Sequence, residues 1–552
     1  MPCEVISSLK RKARRIISDP VLRRWLAGRL LGRRPGEPDF AAHHPPYLNG
    51  VAPLETETPS ATFAALGEAQ PRAPIDLELA GETVSLKPGG EKALFGRDFA
   101  DLETLLSLHR FAWLGLVGDD FNPAWVGAIW TAWREIHANP DDSWAWHPYT
   151  AAERAVNVLR FARTHGLPGP MDKTLSLLCA HAPVIAERLE YFGEHHTSNH
   201  LANNGRGLFL LGLWLGLEKA ADLGGQILIE EGRRIFTPSG MLREGSSHYH
   251  LLVARNYDEV RREAQAHGRP EAAALAEIAG KALKSTASLM LPGGFPLIGD
   301  ISPDLPPARL LDEIAGRIAG MGGPGVGDGW LRFDSGAWAG LWHAPPRGWS
   351  PMPGHGHQDM GSFELHYEDE PVFIDPGRGA YGEDGEAAFY RSAKAHSGLT
   401  VDGAEPYPPN RPYYDETFRD LIGGPPPVLS AAANGVELSH HGFARLAGVG
   451  KHRRIWRFEE NHLLIGDYLE GRGKPRLSRR LITSLEAKTA AGGILLKGKN
   501  RGYRLGWSGE VAPSLEPITR WHAYGRGTPA TAIVIKNAET LPFSGSITIE
   551  AI

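Results

Sequence analysis

Cysteine is almost missing from these 552 residues: only Cys3 and Cys179 occur. Two thiols cannot build a disulfide framework in a chain of this length, and they are too few for a cysteine metal site. Long apolar runs are missing too. No stretch reaches the roughly 20 residues that a bilayer span needs, and no apolar core of a secretory signal follows the basic N-terminus. Excess positive charge is also missing, with 59 Lys and Arg against 64 Asp and Glu and a net charge of −5. That argues against a nucleic-acid protein, which presents a basic surface to phosphate. An anionic sugar stays compatible, because a cleft can be basic on an acidic protein.

What is there is ordinary globular composition, 42% hydrophobic and 22% charged, in a chain long enough for two or three domains. Residues 1–60 hold a basic stretch (Lys10, Arg11, Lys12, Arg14, Arg15, Arg23, Arg24) and then a Pro-rich linker. The basic stretch reads as a helix, either solvated against the body of the protein or in peripheral contact with anionic lipid. A short β excursion is expected within 73–97. From about 100 to 290 apolar residues recur every three or four positions, in segments running from 101–114 to 271–290. Short Gly, Pro and Asn breaks make successive helices antiparallel hairpins, and periodicity leaves bundle, solenoid and toroid open. From about 330 the period becomes two, through Ser362–Tyr367, Leu399–Asp402, Ile455–Phe458 and Ala532–Lys536. The expected class is α+β multidomain. A helical domain spans 61–325, an antiparallel β-sandwich spans 326–552, and they meet in the Gly-rich segment 321–329.

Polar islands interrupt this apolar pattern. The segment 194–200 opens a helix on which Asn199, Asn203 and Arg206 share a face. The segment 243–250 holds Arg243, Glu244, His248, Tyr249 and His250, also before a helix. His355 and His357 flank Gly356 and run into a strand, Asp375 ends the next, and His396 precedes a third. His357, Asp375 and His396 are of the residue types that hold zinc, although their spacing fits no local metal motif. A hydrogen-bonded His–Asp pair is the alternative.

These islands, in this order, resemble the heparinase II/III family within the heparinase and alginate lyase superfamily. The resemblance is carried by Asn199-His200, Glu244 to Tyr249, Pro296 to Asp300, His355 to Leu365, Phe373 to Gly377 and Ala395 to Gly403. It implies an incomplete (α/α) toroid followed by antiparallel sheets, and a polysaccharide lyase acting on a uronic-acid glycan by β-elimination. In that scheme Tyr249 and His355 handle protons, while Asn199 and His200 neutralise the substrate carboxylate. Arg206, Arg243, Glu244 and His250 would help to bind substrate, and His357, Asp375 and His396 would hold a structural zinc. The family also implies the cell envelope or periplasm, whereas the lack of a visible signal leaves the cytoplasm open. An acidic polysaccharide is the expected partner, and oligomeric state is left open. Two other readings compete: a toroid glycoside hydrolase using Glu194, Glu244 or Asp300, and a non-catalytic glycan-binding or exopolysaccharide-assembly protein.

Overall fold

The computed structural model describes residues 42–67, 70–118, 121–194, 196–323, 325–349, 354–409 and 422–552, together with 23, 26–28 and 30–32. Most of the basic N-terminal stretch lies outside the described residues, as does His195. Helices form wherever the three-and-four spacing predicts them: α1 Leu102–His109, α2 Ala124–His137, α3 Pro148–His165, α4 Met171–Glu187, α5 Asn199–Leu215, α6 Glu218–Ile235, α7 Ser247–Ala266 and α8 Ala272–Leu289. A further helix, α9 Pro307–Ile318, is not anticipated from the spacing, because the Gly and Pro residues before it break the pattern. It starts on Pro307, whose fixed φ suits a first turn, and buries Leu310, Ile314 and Ile318.

The starts and stops have local causes. Asp101 caps α1 by accepting from the Glu103 amide, and Ser246 caps α7 by accepting from the Tyr249 amide at 3.1 Å. Gly216 ends α5 in the left-handed region at φ +73°. Neighbouring helices then pair as hairpins, α5 on α6 and α7 on α8. The α5–α6 pair is tight because Gly212 lies against the Ala221 backbone and Gly224 against the Phe209 backbone, where a Cβ would collide. Large buried rings, among them Trp113, Trp125, Trp130, Trp133 and Trp146, fill this helical domain.

The second domain is antiparallel throughout its paired strands. After the small hairpin β1 Ile75–Glu78 and β2 Thr83–Leu86, strands β3 Trp330–Ser335, β4 Trp338–His343, β5 Ser362–Tyr367 and β6 Glu370–Phe373 form one sheet in chain order. An eight-stranded sheet and another four-stranded sheet follow. Trp342, Phe363, Trp456, Ile465 and Ile549 lie in one apolar core of this domain. Two connections matter for function. The β4–β5 connection carries His355 and His357. The connection from β6 to β7 Leu399–Val401 carries Asp375, Arg378, Tyr381 and His396.

The helical domain buries neutral histidines. Burial is the first cause of low values at His109 and His248, both down to about 3, and at His250, down to about 4. The unfolded chain takes up these protons near pH 6.5, so stability is full above that pH and falls as pH drops from 6.5 toward 4. His250 alone would cost at most about 3 kcal/mol over that window. Urea unfolding free energy is therefore expected to fall sharply between pH 7.5 and pH 5, and less so in His250→Gln. Equal unfolding free energies at the two pH values would contradict this.

Candidate functional site

Two helix starts face two β-domain connections. At the first, the Asn199 backbone amide donates to Glu244 Oε1 at 2.6 Å, and its side-chain Nδ2 donates to Oε2 at 2.9 Å. A carboxylate at the N-terminus of α5 meets the positive end of that helix. His200, next along α5, bonds through Nδ1 to Glu190 Oε1 at 2.7 Å, and 40% of its side chain stays exposed. Burial opposes its charge, but Glu190 outweighs burial and raises the imidazole above its usual value. The Tyr149 ring packs 4.7 Å from the His200 ring. Asp304 fixes Tyr149, accepting its hydroxyl at 3.0 Å and the Arg110 guanidinium at 2.8 Å.

At the second helix start, the Tyr249 ring stacks on His355 with centroids 3.5 Å apart and planes 7° apart. The Tyr249 hydroxyl is hydrogen-bonded to the Tyr381 hydroxyl, and Tyr381 donates on to the Ile301 carbonyl at 3.2 Å. Burial pushes the Tyr249 hydroxyl well above the ordinary tyrosine range, so it enters any reaction protonated. His355 is oriented through Nδ1, 3.1 Å from Asp300 Oδ2, while its Nε2 lies 3.5 Å from Glu244 Oε2. Glu244 thus links Asn199 to His355.

Asp300 is the junction. Its Oδ1 also meets His357 Nε2 at 2.8 Å, and Arg378 reaches both oxygens at 3.0 and 3.3 Å. Burial would raise this carboxyl, but the hydrogen bonds from His355 and His357 and the charge of Arg378 hold it well below the usual carboxylate range. The main chain is joined as well, because the Asp300 amide donates to the His355 carbonyl at 2.9 Å. Gly299 makes this approach feasible. It sits at φ +86°, and a Cβ there would stand 2.6 Å from the Gly245 carbonyl and 2.9 Å from the His355 carbonyl.

The expected zinc residues also converge. The His357 and His396 rings are 5.1 Å apart, and His396 Nδ1 lies 2.8 Å from Asp375 Oδ2. His396 Nε2 donates to the Tyr390 carbonyl at 2.8 Å. Both its partners only accept, so His396 carries both protons; burial opposes that charge, but Asp375 raises the group to about 9. The donor types fit zinc. As arranged, however, no three His, Cys, Asp or Glu among the described residues stand round a point that could hold a metal ion.

Two expectations are corrected by partners already in place. Arg206 is buried in an ion network, with Glu259 at 2.9 Å and Glu153 at 2.6 Å, so its guanidinium is not free for a substrate carboxylate. His250 lies in the interior, accepting from the Leu242 amide and bonding Thr286 Oγ1, and it supports α7 rather than the cleft. Arg243 lies near enough to Asp328 to favour its carboxylate, which binds Ser239 at 2.6 Å. The islands show Asp300 and Arg378 as charged residues inside Gly- and Pro-marked apolar runs, which is the signal that finds them. Glu190, Asp304 and Tyr381 stand in no pattern, and only the fold brings them in.

Residues 324–548 match the family described as Heparinase II/III-like, C-terminal. Solved structures of low identity share the architecture. Heparinase III superposes with a TM-score of 0.60 at 16% identity, covering 83% of this chain and 79% of that one. The BT4657 gene product heparinase III gives 0.58 at 16%, covering 98% and 93%. Heparan sulfate lyase HepC from Pedobacter heparinus gives 0.51 at 16%, covering 82% and 77%. At such identity the likeness establishes the fold. No curated protein matches the chain by sequence.

Replacing Asp300 by Asn keeps one oxygen but removes the charge and one of the two acceptors shared by buried His357 and Arg378 and partly buried His355. Asp300→Asn is expected to destabilise the protein by about 3–5 kcal/mol, as broken buried pairs do. Thermal unfolding checks this, and an unchanged melting temperature would show that Asp300 holds nothing together.

Proposed function

We propose, from the premise that this chain belongs to the heparinase II/III family, that it is a polysaccharide lyase cleaving a uronic-acid glycan by β-elimination. One observation carries the proposal: a protonated tyrosine and a carboxylate-oriented histidine stand face to face, one supplied by each domain. Elimination needs a base and an acid, and this pair can supply both. A base removes the weakly acidic proton at C5 of the uronate, and negative charge builds on the adjacent carboxylate. An acid then protonates the departing 4-oxygen, and a C4–C5 double bond remains.

The chain's residues suit these steps. With Nδ1 held by Asp300, His355 can accept the C5 proton at Nε2. Tyr249, kept protonated by burial, can give its proton to the 4-oxygen. His200, raised by Glu190 and partly exposed, can face the charge developing on the substrate carboxylate. Asn199 adds its second amide N–H, because Glu244 takes only one. A hydrolase built on Asp300 and Glu244 is disfavoured, since it requires a carboxyl that gives up a proton. Asp300 is held ionised, and the two Glu244 oxygens already accept from Asn199. We further propose a glycosaminoglycan or similar uronate polymer as substrate, heparan sulfate being named for one structure of this fold. The cell envelope or periplasm, which the family resemblance suggests, is the proposed location. Among the described residues no helix is long and apolar enough to cross a membrane.

Zinc at His357, Asp375 and His396 belongs to the same proposal. Its support is a set of buried atoms without hydrogen-bond partners, namely His357 Nδ1, His343 Nδ1 and both Asp359 carboxylate oxygens. The Asp359 carboxylate makes no hydrogen bond and meets only His343 Nδ1, at 3.5 Å; so weakly compensated a buried charge is costly, and a cation would relieve it. The ion would tie the two connections beside the site and stabilise the folded state. Coordination requires neutral imidazoles, so zinc must displace the extra His396 proton, and affinity should rise with pH. Elemental analysis of protein purified at pH 8 without chelator should find about one zinc per chain. Metal far below one equivalent, with chelator leaving the melting temperature unmoved, would leave the hydrogen-bond network as the whole structure there.

The activity itself is checked by incubating the protein with uronate polysaccharides and following ultraviolet absorbance of the new double bond. Tyr249→Phe should fold normally and lose a factor of roughly 10² to 10⁴ in kcat. Hydrolytic products without absorbance, or near-normal elimination by Tyr249→Phe, would overturn the assignment.

A further inference from the structure

Tyr249 does not stand alone. Its hydroxyl meets the Tyr381 hydroxyl, contributed by the β-domain. A carbonyl only accepts, so Tyr381 donates its own proton to Ile301 O, and the Tyr249 hydroxyl donates to the Tyr381 oxygen. We propose that Tyr381 is the positioning residue of the acid–base tyrosine: it holds the Tyr249 hydroxyl before the reaction and donates to the Tyr249 oxygen once that oxygen has given up its proton. This rests on the lyase reading above.

The proton balance is simple. Tyr249 transfers its proton to the departing 4-oxygen and becomes a phenolate, which only accepts. The Tyr381 O–H then turns about its C–O bond from Ile301 O to the phenolate. A 3.2 Å bond to a neutral carbonyl is exchanged for a charge-assisted bond. When Tyr249 regains a proton from the C5 abstraction or from water, Tyr381 returns to Ile301.

Beside the imidazolium that His355 becomes on taking the C5 proton, Tyr381 is the group hydrogen-bonded to the Tyr249 oxygen itself. Glu103 of α1 and Asp300 and Asp304 of the α8–α9 connection all disfavour a negative Tyr249, as burial does, while the Tyr381 hydrogen bond favours it. Tyr149 of α3 faces the same region and is itself held protonated by burial. His355 covers the Tyr249 ring face. Tyr381 is well braced for the role. Its amide donates to the Tyr524 hydroxyl at 3.2 Å, and its ring meets Tyr524 edge-on at 5.2 Å. The Arg378 guanidinium, bound to Asp300, lies 5.6 Å from its ring centre. The clamp that orients His355 thereby also places Tyr381.

Tyr381→Phe keeps the ring and removes only the hydroxyl. On a glycan cleaved by wild type, kcat should fall about 10- to 100-fold, the usual effect of losing a hydrogen bond to a charged group, while KM changes little. The decisive readout is leaving-group dependence. A uronate carrying fluoride at C4 needs no proton to expel its leaving group, so both Tyr381→Phe and Tyr249→Phe should regain nearly wild-type elimination on it. A Tyr381→Phe defect of the same size on both substrates would mean structural damage, and wild-type rates on both would mean no role; either overturns the proposal. If wild type yields no unsaturated product from any uronate substrate, the lyase reading fails first and takes this inference with it.

Discussion

The site depends on one buried carboxylate. Asp300 belongs to the helical domain, yet its partners His355, His357 and Arg378 all belong to the β-domain. A buried ion cluster gives little net stability over an apolar replacement, because desolvating the charges offsets most of their attraction. Its value here is geometric. Alternatives that leave any of these groups unpaired are expensive, so the two domains dock in one register. That register puts the His355 ring on the Tyr249 ring.

The same carboxylate divides the chemical labour. Nδ1 of His355 is occupied by Asp300, so in the proposed reaction Nε2, 3.5 Å from Glu244 and not hydrogen-bonded to it, is the nitrogen that takes the proton. Tyr249 experiences the opposite influence. Burial and nearby anions keep its proton on, which suits an acid and makes the later phenolate hard to sustain. The base is thus prepared by an anion at hydrogen-bond distance, and the acid by anions that are not bonded to it. His200 completes the set as a partly exposed imidazole whose protonated form burial opposes and Glu190, prevailing, favours.

Much of this was legible in the sequence. Periodicities of three-and-four and of two located the helices from Leu102 to Leu289 and the strands such as Ser362–Tyr367, even though α5 and that strand are buried on nearly every side. Helix α9 escaped, since the Gly and Pro residues that shape the Asp300 loop also disguise the helix after them. Tyr249, His355, Asn199 and Glu244 stood out as polar residues at helix starts and strand entries, and the fold brings them together. Arg206 and His250 were equally conspicuous in sequence but are already satisfied inside the helical domain, by Glu153 and Glu259 and by Thr286. A sequence shows that a polar group must find partners and does not show whether the protein or a substrate supplies them. Tyr381 marks the opposite failure: it lies in a Gly-rich connection without periodicity, and only docking against Ile301 and Tyr249 gives it meaning.

The division of the site between domains follows from what each architecture offers. Helix starts present backbone N–H groups and positive dipole ends, which suits them to hold Glu244 beside Asn199 and, in the proposed reaction, to face an anionic sugar. Strand connections lack that dipole but can carry His355, Arg378 and Tyr381 inward from a rigid sheet edge. Neither surface alone has both a place for negative charge and a pair that moves protons. Gly299 shows how closely they must meet, since even one added methyl group there would press on the His355 carbonyl. A displacement of the domains by that amount would separate His355 from Asp300 and Tyr249 from Tyr381 together. His355 and Tyr249, the proposed base and acid, are therefore assembled by one docking event rather than tuned independently.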